Sequence, residues 1–364
     1  MERTEQTVAE GGAECDVYVV GTVFQDIVFT GLEGAPVKGA ESWARGMGCS
    51  PGGVATTATA LARLGLRAML CAAFGDDEYG DHCWLDLSAD GVDLSTSRRP
   101  AGWHSPVTVS FAYDGERTMV THGHEAPAEE RFPPRRPPRS RACVTGLAPG
   151  EDAEWLRRAA EDGSLVFADT GWDATGRWSV SDLDGLRHCH AFLPNVGEAT
   201  RYTRTDSARA AARALAQVVP VAVVTMGVQG AVACDGRTGE EAVVPAVPVD
   251  ALDPTGAGDV FLAGFVFATL ADWPLADRLA FADLCAALSV AEFGGAHSAP
   301  GWYEITRWWS GLRDGDSRRR TDAELRRRYS FLADLSEMAP LTPPRRAVPT
   351  IGFRGAAAPP VGRR

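Results

Sequence analysis

An α/β fold, with a mostly parallel sheet covered by helices on both faces and a smaller β-sheet beside it, is what the order of apolar patterns in this 364-residue sequence predicts. Strand-like runs at 15–21, 67–73, 142–147, 164–169, 190–195 and 221–227 alternate with helical patterns near 53–64, 77–89, 151–161, 197–203 and 206–218, as in strands joined by helical crossovers. Two stretches break that rhythm. Residues 24–48 and 104–122 read as short strands with turns, and "VTVSFAYDGERTMVTH" alternates around Asp114-Gly115, a hairpin signal that supplies the small accessory sheet.

In chain order, residues 1–13 are acidic and polar and predict a disordered tail, and 14–337 form the folded domain. "CDVYVVG" opens the sheet. "APAEERFPPRRPPRSR" (126–141) carries too many prolines for a helix or a central strand and reads as an exposed connector. "EEAVVPAVPV" (240–249) is strand-like, "VFLAGFVFATL" continues as a buried helix, and helical patterns follow at 302–314 and 321–336. The remainder, 338–364, is rich in Pro, Gly, Ala and Arg and predicts a second disordered tail.

A formal net charge of −12 argues against a nucleic-acid partner, which calls for a broad basic face. The eight cysteines form no CxxC pair and suggest reduced, mostly buried thiols. The first residues lack the basic start and apolar run of a signal peptide, and no apolar stretch is long enough to span a bilayer, so a cytoplasmic location without membrane contact is expected. Lys38 is the only lysine and has neither a GK[ST] nor a VAIK-like context. Any phosphate must therefore be handled by backbone N–H groups and arginine.

"DPTGAGDVFLAGF" (253–265) has the composition for that task. Gly256 and Gly258 let the backbone approach a ligand closely, and the first turn of the following helix offers unpaired N–H groups and a positive dipole end. Asp259 on that turn can reach a substrate hydroxyl while the amides of Ala257, Gly258 and Asp259 face a phosphoryl group. A lone Gly-Asp before a helix is, taken by itself, more often an N-terminal cap.

Other segments decide between these. "DPTGAGDVFLAGF" resembles the second signature of the ribokinase-like (PfkB) sugar kinase family, near DTTGAGDxFxxGF, departing appreciably only at Pro254. "PGGVATTATALARLG" (51–65) resembles the first signature, with Thr56 where the family usually has asparagine. "FGDDEYGD" (74–81), "GVDLS" (91–95), "DGERT" (114–118), "FADTGWDATGRW" (167–178), "LPNVGEAT" (193–200) and "VVTMGVQGAV" (223–232) follow in the family's order. The likeness runs over about residues 14–300.

The resemblance implies a three-layer α/β/α sandwich with a β-sheet lid, and an ATP- and Mg²⁺-dependent kinase acting on a sugar. By it Asp259 is the catalytic base, and Gly256, Ala257 and Gly258 form the anion hole. Asn195 and Glu198 match the NxxE that organises Mg²⁺ and the nucleotide phosphates, Glu198 through water; on spacing alone they are a helix start. Thr225, Gly227 and Gly230 match the nucleotide-binding turn, and Asp253 and Thr255 match positions that bind a monovalent cation such as K⁺ in many members. Asp26, after the first strand, is the substrate-binding acid, with Gly52, Gly53 and Thr56 beside it. Phe24 stands where ribokinase itself has asparagine, so a nucleoside rather than a free sugar is the alternative acceptor, and a catalytically silent sugar- or nucleotide-binding regulator is the reading from another class. A homodimer through the lid is also implied. His188 and His190, and His122 and His124, suggest no metal site without further ligands nearby.

Overall fold

The computed structural model describes residues 13–113, 116–127, 136–151, 153–315, 320–333, 335 and 343–346. The chain begins with β1 (Cys15–Val20), β2 (Val23–Thr30), β3 (Gly46–Gly53), α1 (Val54–Arg63), β4 (Ala68–Cys71), α2 (Glu78–Ala89), β5 (Val107–Tyr113) and β6 (Glu116–His122). It continues with β7 (Ser140–Leu147), α3 (Glu154–Glu161), β8 (Leu165–Thr170), β9 (Ala191–Phe192), α4 (Val196–Thr203), α5 (Ala208–Leu215), β10 (Val221–Thr225), β11 (Ala231–Asp235) and β12 (Glu241–Val244). The C-terminal part holds α6 (Ala257–Leu270), α7 (Leu275–Val290), α8 (Gly295–Ser298), α9 (Trp302–Asp314) and α10 (Arg320–Arg328).

Eight strands form the central sheet in the order β12-β11-β10-β9-β8-β7-β1-β4, and four form a separate sheet in the order β3-β2-β5-β6. From β4 to β10 every pairing is parallel, while β11 and β12 close one edge antiparallel. Strand alternation sorts the core into two layers. Val17 and Val19 of β1 pack with α1, α6 and α7 on one face, and Tyr18 and Val20 pack with α3, α4 and α5 on the other. Each fully buried side chain of this size contributes roughly 1.5–3 kcal/mol, so the sheet is a rigid base for the loops at its strand ends.

The details depart from the sequence reading where backbone chemistry intervenes. The strand predicted over 240–249 stops at Val244, because Pro245 has no N–H to give the ladder. Of the predicted 190–195 strand only Ala191 and Phe192 form β9, while Asn195 makes a separate parallel bridge to Thr225. The accessory sheet runs past residue 48 to Gly53, since Gly52 and Gly53 still pair with Phe24 and Val23. The Asp114-Gly115 turn lies outside the described residues, but the strands on either side pair in antiparallel register down to Tyr113 and Glu116. Of the 126–141 connector, residues 128–135 lie outside the description, and Ser140 and Arg141 already belong to β7. The tail over 1–13 is outside it apart from residue 13. That over 338–364 is outside it except for 343–346, and these four are not loose: Arg345 and Arg346 hydrogen-bond to the body.

Helix α7 packs on α6, and Gly264 permits it: a Cβ there would stand 2.9 Å from Ala282 Cα. Asp283 of α7 is buried and accepts a bond from the Val247 N–H at 2.9 Å. Burial pushes its carboxyl up to about 6 from 3.8. Because the folded-state value is raised, its contribution is fullest below the unfolded value and is lost as pH rises through about 6. Asp283→Asn keeps an acceptor for Val247 and removes the titration, so wild type should lose up to about 3 kcal/mol relative to the variant between pH 4 and pH 7. Urea unfolding at both pH values measures this; a constant difference between the two proteins contradicts it.

Candidate active site

The site is assembled at the C-terminal ends of the parallel strands, where open α/β sheets leave a crevice, together with the root of the four-stranded sheet. Asp26 lies in β2, in register with Ser50 of β3, and Phe24 is in register with Gly52. The Asp26 carboxylate occupies the space that a side chain at position 52 would need, since a Cβ on Gly52 would collide with it. Gly53 has φ 61, and a Cβ there would strike the Thr22 carbonyl oxygen. The sequence reading assigns both glycines to the approach of a ligand; the groups that stand against them here are Asp26 at Gly52, and the Thr22 carbonyl and Phe24 ring at Gly53.

Helix α6 begins at Gly256, whose φ of 78 is open to glycine at little cost. A Cβ there would stand 2.9 Å from the Thr56 methyl, so Thr56 packs under the start of α6. The Ala257 N–H closes a turn on the Pro254 carbonyl at 3.3 Å, a long bond that an incoming anion would compete with. In front of Gly258 there is open space: a Cβ would meet nothing within 4 Å. Asp259 sits in the first turn and accepts a hydrogen bond from the Thr57 hydroxyl at 3.3 Å. Thr57 was invisible to the sequence reading, because it meets Asp259 across 202 residues of chain.

The loop ahead of this turn is fixed by Asp253, which is buried and accepts from the Thr255 N–H at 2.9 Å and the Gly294 N–H at 3.2 Å. The Thr255 hydroxyl is buried without a hydrogen-bond partner. A buried orphan oxygen beside a carboxylate suits a hard monovalent cation.

Across the crevice, Asn195 and Glu198 form a capping box at the start of α4. The Asn195 side-chain oxygen accepts from the Glu198 N–H, and a Glu198 carboxylate oxygen accepts from the Asn195 N–H, each at 3.0 Å. The sequence reading of a helix start is thus met, with one oxygen of Glu198 committed to the cap. Thr225, at the end of β10, donates its N–H to the Pro194 carbonyl at 3.2 Å, which brings the NxxE segment and the following turn together. That turn needs glycine: Gly227 has φ 55 and Gly230 has φ 92, and a Cβ on Gly230 would collide with the Val244 carbonyl.

Burial pushes the Glu198 carboxyl up, against the pull of its bonds with Asn195. Asp169, at the end of β8, is pushed well above the usual carboxylate range, first by burial and then by the charges of Glu198 and Asp259. Asp169 thus feels the charge of both halves of the site. The sequence reading includes it in "FADTGWDATGRW" without assigning it a role; a carboxylate closing the apolar run "SLVFAD" at the sheet's C-terminal edge is the signal for one. A cation would relieve this crowding of negative charge. Among the described residues no three His, Cys, Asp or Glu side chains are arranged to hold a metal ion by themselves, so oxygen ligands from a bound phosphate would have to complete the set.

The family model described as pfkB family carbohydrate kinase matches residues 16–302. The chain is 27% identical over 269 residues to a ribokinase of Schizosaccharomyces pombe, covering 69% of this chain and 83% of that one. It is 31% identical over 260 residues to an ATP-dependent ribose-1-phosphate kinase of Halopiger xanaduensis, covering 68% and 82%. A crystal structure of a putative ribokinase II from E. coli in complex with ATP and Mg²⁺ superposes with a TM-score of 0.64 at 18% identity, over 81% of this chain and 99% of that one, a likeness of fold. With that fold, with both glycine-rich segments lining one crevice, and with a family match from the first strand to the start of α9, the chain belongs to the pfkB family of carbohydrate kinases, phosphotransferases that act on hydroxyl groups.

Proposed function

We propose that this chain transfers the γ-phosphoryl group of ATP to a hydroxyl of a sugar. The observation that carries the reading is the tip of α6, where Asp259 is oriented by Thr57 in the same turn as the open backbone at Gly258. Asp259 takes the proton of the acceptor hydroxyl, and the Gly256, Ala257 and Gly258 backbone, at the positive end of the helix, stabilises the charge on the migrating group. Asp26 accepts hydrogen bonds from acceptor hydroxyls, with Gly52, Gly53 and Thr56 shaping the floor. Thr225, Gly227 and Gly230 border the nucleotide.

Glu198, with Asn195, would hold Mg²⁺ through water, and the ion when bound neutralises the nucleotide phosphates. Asp253 and Thr255 would hold K⁺, which fits the orphaned Thr255 hydroxyl. The four-stranded sheet acts as a lid that excludes water, which would otherwise compete as acceptor. The ribokinase and ribose-1-phosphate kinase among its relatives support a pentose-like acceptor.

Phe24 favours a second reading. It lies two residues from Asp26 on the same face of β2, where an aromatic ring could stack on the base of a nucleoside. Purified protein with ATP·Mg should consume ATP with one member of a panel of pentoses, pentose phosphates, hexoses and nucleosides. A nucleoside as the sole acceptor would establish the second reading, and ATP binding without turnover on any member would favour a silent regulator.

A further inference from the structure

The described part of the C-terminal segment, residues 343–346, makes contacts out of proportion to its length. Arg345 bonds Asp86 of α2 twice, Nη1 to the carboxylate at 2.8 Å and Nη2 to the carbonyl oxygen at 3.1 Å. Arg346 places one nitrogen on the carbonyls of His297, Ser298 and Ala299 at 3.0, 2.7 and 3.1 Å, and the other 2.8 Å from Glu304 of α9. From inside, Arg63 of α1 bonds two of the same carbonyls, the Asp90 carboxylate and the Arg345 carbonyl. Two adjacent arginines thereby tie α2, α8 and α9 together.

What they tie leads to the acceptor site. Asp86 is buried, and its other carboxylate oxygen is 2.9 Å from His297 Nε2 and 3.4 Å from His82 Nε2. His82 Nδ1 meets Gln25 Oε1 at 2.9 Å, and the Gln25 amide donates to the carbonyls of Asp26 and Ser50 at 3.1 and 3.4 Å. On the second branch, the His297 N–H reaches the Ser50 hydroxyl at 3.4 Å. The first branch ends on the main-chain carbonyls of the paired Asp26 and Ser50, and the second on the Ser50 hydroxyl. Asp86, His297, Gln25 and Ser50 are all buried, and a buried polar chain of this kind has few alternative arrangements.

We propose that Arg345 and Arg346 are positioning residues for the acceptor site: the C-terminal segment latches onto α2 and α8 and, through Asp86, His82, His297 and Gln25, holds β2 and β3 so that Asp26 is aimed at the acceptor. This rests on the reading of Asp26 as the acceptor-binding acid. The latch touches none of the residues assigned to the nucleotide, so its loss should separate the two substrates.

The test is the Arg345→Ala/Arg346→Ala double variant of the full chain, compared with Asp26→Asn, using the acceptor found in the panel. The latch variant should raise the acceptor KM about tenfold, leaving kcat at saturating acceptor and the ATP KM within about twofold. Hydrogen exchange should quicken in Val23–Thr30 and Gly46–Gly53, and a free peptide of residues 341–350 should restore part of the lost affinity. Glu304→Gln, which weakens the hold on Arg346 but keeps an acceptor for the Gly301 N–H, should give a smaller rise in the same constant and serves if the double variant folds poorly. An unchanged acceptor KM with unchanged exchange overturns the proposal, as does an equal loss on the ATP side. If Asp26→Asn also leaves the acceptor KM unchanged, it is the reading of Asp26 that fails; if Asp26→Asn raises it and the latch variants do not, the latch alone fails.

Discussion

Asp259→Asn is expected to lower kcat by about a thousandfold or more while ATP·Mg still binds. A positioned general base contributes typically 10²–10⁴, and asparagine keeps the size of the side chain and an acceptor for the Thr57 hydroxyl, so the local structure at the α6 tip should persist. The loss should fall on kcat and kcat/KM together, because proton transfer is felt in the transition state and not in the ground state. Steady-state rates together with an ATP-induced shift in melting temperature provide the check. Turnover within tenfold of wild type would remove Asp259 from the role proposed for it.

Gly52→Ala should produce the second large effect, by a different route. An added methyl collides with the Asp26 carboxylate, and neither partner has an easy escape: position 52 is paired within the β2–β3 ladder, and Asp26 is only 7% exposed. The carboxylate must turn away, and an ill-aimed acid loses the charge-assisted bonds to the acceptor, which are worth about 1.5–3 kcal/mol each. The acceptor KM should rise by about a hundredfold with the ATP KM unchanged. Substrate titrations at fixed saturating ATP read this directly, and an unaltered acceptor KM would show that Asp26 does not contact the acceptor.

The parts of this molecule that could be read from the sequence are those whose signal is local. The strand–helix alternation of the first two thirds depends on periodicity within one segment, and the GAGD turn and the NxxE cap are short-range backbone chemistry. Helix α7 carries no such signature. It is buried on most of its surface, including Leu279, Phe281 and Leu284, so its apolar residues do not keep to one stripe. The β12 strand shows in "EEAVVPAVPV", but β11 follows a tight turn after β10 and carries no separate signal, so the antiparallel edge is not legible. Thr57, Asp169 and the Asp86–His297 pair escaped for another reason: each acquires its role from a neighbour far along the chain, 202 residues away for Thr57 and 211 for Asp86. Pro343–Arg346 went unread because a Pro/Arg-rich composition describes how a segment behaves alone, not what it finds on the body.

The alternation along β2 sets a rule for how the acceptor pocket can be remodelled. Asp26 and Gln25 point to opposite sides of one strand, a carboxylate over Gly52 and an amide toward His82 of α2. Inserting or deleting a single residue upstream of them would exchange the two and, on the function proposed above, take the acceptor-binding acid away from the acceptor, whereas a two-residue change preserves it. Families of designed variants should therefore tolerate length changes between β1 and Gln25 only in even steps.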